Sequence, residues 1–395
     1  MTTSCVVVTD NDAATKAAFN KQSHLTWLSC AVHDANLAVK QTLQSAALPN
    51  EIKVAIEACK EIVRYVKKAQ LNSKLLELGK KSLKQECETR FNSLWNMVRS
   101  VNDAMAALPE VLPIERRGGL PKLTKPSFTE LISILSHFDA LTRELSASKV
   151  PTLFLKPLWK KELMKLLNEK SKDRSISAAG QKVASMLMDS VESKVQLQTL
   201  HFCATILHPQ FKYFVQREYG AECHNEAADF LESKMMPDCA QHFQDLLGDG
   251  IEDCQRQPNN LLGNSSSEQQ IPMSHVNIWD RIQSYGCGSS SSGLSEDFTA
   301  FTSHAEELAS WMCVPERKLE GKSILNYWRE QKHHPILAAT ALFIHSIPCS
   351  SIPSERLFSV SGRITADPRR SSLSADKLSK LCVINSFKKN GGKIE

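Results

Sequence analysis

The chain has 395 residues, 42% hydrophobic and 23% charged, the profile of a soluble globular protein with material for two or three structural units. Its 48 basic and 43 acidic side chains leave a net charge of +5, too small an excess to imply nucleic-acid binding by charge alone. No apolar run approaches the roughly 18 residues of a membrane span, and the opening MTTSCVVVTDND lacks the basic stretch and long apolar core of a signal peptide, so no membrane association is expected.

Cys5 to Thr9, CVVVT, is a β-branched run that reads as a buried strand. Asp10-Asn11-Asp12 then precedes AATKAAF, and short polar residues there are helix-capping chemistry. The same layout of strand, Asp and helix also places a carboxylate at the carboxyl edge of a sheet. HLTWLSCAVH, His24 to His33, carries a second short strand and runs into a helix with Asn36, Leu37, Ala38, Val39 and Leu43.

From Glu51 onward the pattern is helical. Ile52, Ile56, Cys59, Val63 and Val66 form one apolar stripe opposite Glu57, Lys60, Glu61 and Lys67, and Leu75, Leu76 and Leu83 continue it. Arg90-Phe91-Asn92-Ser93 opens a helix containing Leu94, Trp95, Met97, Val98 and Val101, and a turn region follows from Pro109 to Pro126. Helices are predicted over Phe128 to Leu145, Leu153 to Leu167, and Ala178 to Leu200. Gln255 to Ser295 is too rich in Ser, Asn, Gln and Gly to bury and reads as a flexible loop, with a short docked helix at His275 to Tyr285. Helix resumes from Glu296 to Val314.

The stretch 321–395 is the most strongly patterned. Pro335 precedes ILAATALFI, apolar except for Thr340, and such a helix must be buried against a core or another chain. Pro348 and Pro353 break the chain, and a helix begins near Ser354 with Glu355 in its first turn and Leu357, Val360 and Ile364 at helical spacing. The helix macrodipole accounts for an acid at that position without any chemistry. The final helix, Ala375 to Phe387, presents Leu378, Leu381, Cys382 and Ile384 on one side, and its KKNGGK tail reads as a solvated terminus. Twelve cysteines stand singly with no C-x-x-C pair, which reads as reduced thiols of a nuclear or cytosolic protein. Cys30 and His33 have ligand spacing, but no second pair completes a zinc site.

Several stretches in collinear order resemble hAT-superfamily transposases, notably domesticated relatives linked to BED-type zinc fingers. VVVTDNDAATKAAF is similar to the family's strand, T-D-N-x-A and helix; LSCAVHDANLAVKQTL to its C-A-x-H-x-L-N-L motif; RFNSLWNMV to R-W-x-S, with Phe91 in place of Trp; and LHPQFKYF to L-D-P-R-F-K. YWREQKHHPILAATALFIHSIPCSSIPSERLFS, through RRSSLSADKLSKLCVIN, resembles the C-terminal dimerisation region.

The resemblance implies a mainly α protein with a small α/β remnant of an RNase H-like core at residues 1–45, a helical insertion domain at 46–320 and a dimerisation region at 321–395. It places the family's second and third catalytic carboxylates at Asp10 and Glu355, a structural pair at Cys30 and His33, and nucleic-acid contacts at Arg90 and Phe91, where Phe91 also reads as one more core aromatic. The family's first catalytic Asp and its BED finger have no counterpart, so an N-terminally truncated, catalytically inactive derivative is expected. Three carboxylates would hold two divalent ions for strand transfer. Hence no cofactor is expected, and a divalent metal only if Asp10 and Glu355 function. The expected activity is dimerisation, with itself or a related hAT-derived chain, through Trp328, Ile336, Leu337, Leu342, Phe343, Leu357, Phe358, Leu378 and Leu381. Nuclear localisation, in DNA-associated or transcription-related complexes, goes with that reading; residual metal-dependent DNA binding or cleavage is the alternative.

Overall fold

Valine-rich CVVVT forms strand β1, Cys5–Thr9, because β-branched side chains restrict the backbone to extended conformations. The computed structural model to which it belongs describes residues 5–22, 25–87, 92–240, 303–319, 321–366 and 373–389. Helix α1, Ala13–Asn20, is capped by Asp12, whose Oδ2 accepts from the backbone N–H groups of Ala14 and Thr15 at 3.0 and 3.1 Å. Strand β2, Leu25–Ser29, pairs with β1 in a two-stranded sheet, and the indole Nε1 of Trp27 donates to Thr9 Oγ1 at 2.8 Å. With one strand neighbour among the described residues, β1 is half-buried rather than buried as its sequence suggested.

Every other regular element among the described residues is helical, so the chain is mainly α. In order follow α2 (Ala31–Leu43), α3 (Asn50–Lys68), α4 (Asn72–Glu77), α5 (Ser93–Ala104), α6 (Leu108–Val111), α7 (Leu120–Leu123) and α8 (Pro126–Leu145). Next come α9 (Leu155–Lys172), α10 (Ala178–Lys194), α11 (Thr199–Ile206), α12 (Phe214–Tyr219) and α13 (Ala221–Phe230). Then α14 (His304–Cys313), α15 (Ile324–Glu330), α16 (Pro335–Ser346), α17 (Ile352–Thr365) and α18 (Ala375–Lys389). Arg90, Phe91, and the Gln255–Ser295 loop with its His275–Tyr285 helix lie outside the described residues.

Three boundaries differ from expectation. The pattern through Leu83 stops being helical at Glu77, where Gly79 takes φ +70°, though Leu83 is still buried. The helix expected over Ala178 to Leu200 is two, α10 and α11, because Gln198 is extended and its N–H donates to His201 Nδ1 at 3.0 Å to begin a new helix. Pro353 does not precede α17 but sits in its first turn, where the missing N–H would have no helical partner anyway.

The chain divides into two compact units built from separated segments. A sheet-bearing unit draws on Val6–Thr152, Leu167–Gln196 and Pro348–Glu395. Its core joins Ala55, Ile62, Val63 and Val66 of α3 to Val98 and Val101 of α5 and Phe128 of α8. Burial there pushes the Cys59 thiol up to about 12, so it packs as a small hydrophobe. A tryptophan-rich unit draws on Leu153–Leu166 and Leu197–Ile347, with Trp159, Trp311, Trp328, Phe211 and Phe214 fully buried.

Candidate functional site

Two features of the sheet-bearing unit concern function: the seat of Glu355 and the surface of the last two helices. The seat is built around Cys30, which is fully buried between β2 and α2. Its N–H donates to the Thr9 carbonyl at 2.7 Å, fixing the end of β1 next to Asp10. Its thiol donates to Ser350 Oγ at 3.4 Å and accepts from the Ser351 N–H at 3.3 Å. The neighbouring Ala31 N–H donates to the Cys349 carbonyl at 3.0 Å, and Thr152 Oγ1 accepts from the Cys349 N–H at 3.0 Å. One cysteine thus receives both the strand end that carries Asp10 and the turn that launches Glu355. His33, one helical turn on, is half-buried.

Glu355 itself is exposed in the first turn of α17, and the Ser351 hydroxyl donates to its Oε1 at 2.8 Å. No side chain caps the helix N-terminus, and an acid in its first turn is what the macrodipole favours. The next residue, Arg356, reaches the carbonyl and the hydroxyl of Ser146 at the end of α8, at 3.2 and 3.1 Å, so α17 is held at its N-terminus from both sides. Among the described residues no group of three or more His, Cys, Asp and Glu is arranged to hold a metal.

Beyond that seat α17 turns only part of its apolar surface inward. Ile352 and Val360 are buried, whereas Leu357 is 42% and Phe358 70% exposed. Helix α18 packs along α17 with Cys382 inward and Leu378 and Leu381 half-buried, while Val383 is 64% and Ile384 41% exposed. Ile384 therefore does not share the Cys382 side; two residues are about 200° apart on a helix. Isolated exposed apolar residues are ordinary; here Leu357, Phe358, Val383 and Ile384 stand exposed on two helices packed together.

The remaining dimerisation residues lie in the tryptophan-rich unit. Trp328 and Leu337 are fully buried: the Trp328 Nε1 donates to the Leu207 carbonyl at 2.9 Å and its ring lies 4.7 Å from that of Trp311. Both are taken up by their own core. Ile336, Leu342 and Phe343 are half-buried on α16, which packs against α11, α14 and α15.

That core also holds polar groups which the sequence reading passed over. Glu307 of α14 accepts from the Leu337 N–H at 3.1 Å, capping the α16 N-terminus that His334 leaves without a side-chain cap. Lys212, the Lys of LHPQFK, is fully buried with its Nζ on the Trp311 and Val314 carbonyls and 4.6 Å from the Trp311 ring centroid. Burial brings its pKa down to about 8. The signal was there, since a Lys flanked by Phe and Tyr in an apolar run is positioned to be buried, but only the fold supplies the carbonyls of α14 that make it a C-cap.

These features define a mainly helical protein with a small βα unit and a C-terminal helix pair that displays apolar side chains. Residues 306–387, from α14 into α18, match the family model for the hAT family C-terminal dimerisation region. No curated protein matches the chain. Among the described residues no helix is long and apolar enough to cross a membrane.

Proposed function

We propose that this chain is a hAT-transposase-derived protein that acts by dimerisation, the contact being carried by the α17–α18 face. The exposed quartet Leu357, Phe358, Val383 and Ile384 inside the stretch matching the dimerisation region is the observation that carries this reading. A second copy or a related hAT-derived chain covers it. The small β1–α1–β2 unit is read as a remnant of an RNase H-like core, and the protein works in nuclear, DNA-associated complexes without carrying out strand transfer. Support for inactivity is chemical. The carboxylate of Glu355 is engaged locally by the Ser351 hydroxyl at 2.8 Å.

Molar mass in solution tests the principal reading. Light scattering on the full chain at high micromolar concentration is expected to give twice 44.1 kDa, reverting to 44.1 kDa in the doubly substituted Phe358→Asp, Val383→Asp chain. A wild-type monomer at that concentration, with no heavier species on mixing with a related hAT chain, overturns it.

One observation favours residual metal-dependent cleavage as the second reading: Cys30 gathers the segments carrying Asp10 and Glu355. Incubation with Mn²⁺ and hairpin DNA separates the two. Cleavage that is lost in Glu355→Ala establishes the second reading, and no cleavage removes it.

A further inference from the structure

Within the sheet-bearing unit, α2, α3, α8 and the start of α5 line an open pocket of about 550 Å³. A pocket of this size is in the range that takes small organic ligands. Its floor is apolar, formed by Leu43, Leu48, Ile56, Leu135 and Phe138.

The rim along α3 is charged in sequence. Lys53, Glu57 and Lys60 stand at i, i+4 and i+7 on one face, about 10 Å from first to last at the helical rise. At the far end Lys60 lies 3.3 Å from both Glu57 and Glu86, and although burial opposes its charge, the two carboxylates raise its pKa. A cationic head there would have to displace Lys60 from both acids. At the near end Lys53 donates one N–H to the Ala46 carbonyl at 2.8 Å. An ammonium has three donors, so Lys53 keeps two for an incoming acceptor.

We propose that the pocket binds a small monocarboxylic amphiphile, its apolar body on the Leu48–Ile56–Phe138 floor and its carboxylate at Lys53. The site is independent of the dimerisation surface.

Calorimetric titration of the full chain with sodium decanoate, and with decyltrimethylammonium as the same chain under the opposite charge, tests this. Saturable one-to-one binding of decanoate is expected, at least roughly tenfold tighter than the cation, since a charge-assisted hydrogen bond is at stake. Lys53→Met, which keeps the side-chain stem, is expected to weaken decanoate binding about tenfold without changing the cation's. Val39→Trp, which fills the pocket from α2, is expected to abolish binding; should that variant fail to fold, Ala46→Trp at the exposed rim replaces it. Absence of saturable decanoate binding, equal affinity for the two heads, or undiminished binding in a folded pocket-filling variant overturns the proposal.

Discussion

Helices α16 and α17 make opposite use of apolar side chains. By composition α16 is the adhesive one, with Ile336, Leu337, Leu342, Phe343 and Ile344 along twelve residues. Yet its own unit covers it: Leu337, Ala338, Ala341 and Ile344 are buried against α11, α14 and α15. Helix α17 is far more polar, yet it leaves Leu357 and Phe358 in solvent because they lie off the Ile352–Val360 side that faces its own core. What a helix offers a partner depends on how many faces its own fold covers, not on its total hydrophobicity. A helix apolar all round is core material, whereas apolar residues on the outer face of an amphipathic helix have no internal use.

The strongest way to break this comparison is Trp328→Ala. Removing a fully buried indole costs roughly 3–5 kcal/mol and strands the core that covers α16. Urea unfolding is expected to show that loss, whereas Phe358→Ala, at a side chain 70% exposed, leaves the midpoint unchanged when measured below the dissociation constant of the dimer. Equal midpoints for the two variants would mean that α16 is not core.

Acid tests the same core differently. His345, in the last turn of α16, donates its Nε2 proton to the Leu207 carbonyl at 3.3 Å, and burial brings its pKa down to about 4 from 6.5. His201 and His208 are likewise held well below the usual value by burial, with Lys156 adding to the effect at the first and His345 at the second. Their folded pKa values lie below the unfolded one, so the unfolded chain binds more protons in between. Stability is therefore full above about pH 6.5 and falls as pH drops toward 4. For His345 alone the loss is on the order of 3 kcal/mol, at about 1.4 kcal/mol per unit. His345→Gln should flatten part of that slope in unfolding curves taken between these pH values. An unchanged slope would place the titration elsewhere.

Much of this was legible in the sequence where local chemistry decides. CVVVT, the Asp12 cap and the α3 stripe need no tertiary information, and each element formed where its residues placed it. The break between α10 and α11 was not legible, because residues 181–200 contain neither Gly nor Pro to mark it. The helix start is written in Gln198 and His201, which are not usual capping residues. The Cys30 seat was only half visible: C-x-x-H marked the residue, but its partners Ser350 and Ser351 stand some three hundred positions away and only the fold joins them. The outward face of α18 was also missed, since Val383 is one residue off the stripe that defines the helix.

A smaller effect on the free energy sharpens the exposed side of the comparison. Leu357→Ser alone removes one of the four patch residues while leaving the core untouched. It is expected to weaken self-association about tenfold, roughly 1.4 kcal/mol, with the unfolding midpoint unchanged when measured below the dissociation constant. Sedimentation equilibrium measures this. Unchanged association would move the contact off α17.

An effect of similar size concerns what holds α17 in place. Cys30→Ala leaves the Ser351 N–H without its sulfur acceptor inside a buried turn, a loss of about 1–2 kcal/mol. Cys30→Ser keeps a donor and an acceptor but on a shorter bond to carbon, so about half of that loss is expected. If the thiol acts through hydrogen bonds, serine is milder than alanine in urea midpoints. If it acts by packing as a small hydrophobe, the order reverses, because the hydroxyl is then a buried polar group without good geometry. The same pair of variants also reads the patch. Loosening the α17 N-terminus shifts Phe358 with it, so self-association should fall in the order wild type, serine, alanine, and a ranking of association that ignores the ranking of stability would show the α17 surface to be held by Arg356 and α8 instead.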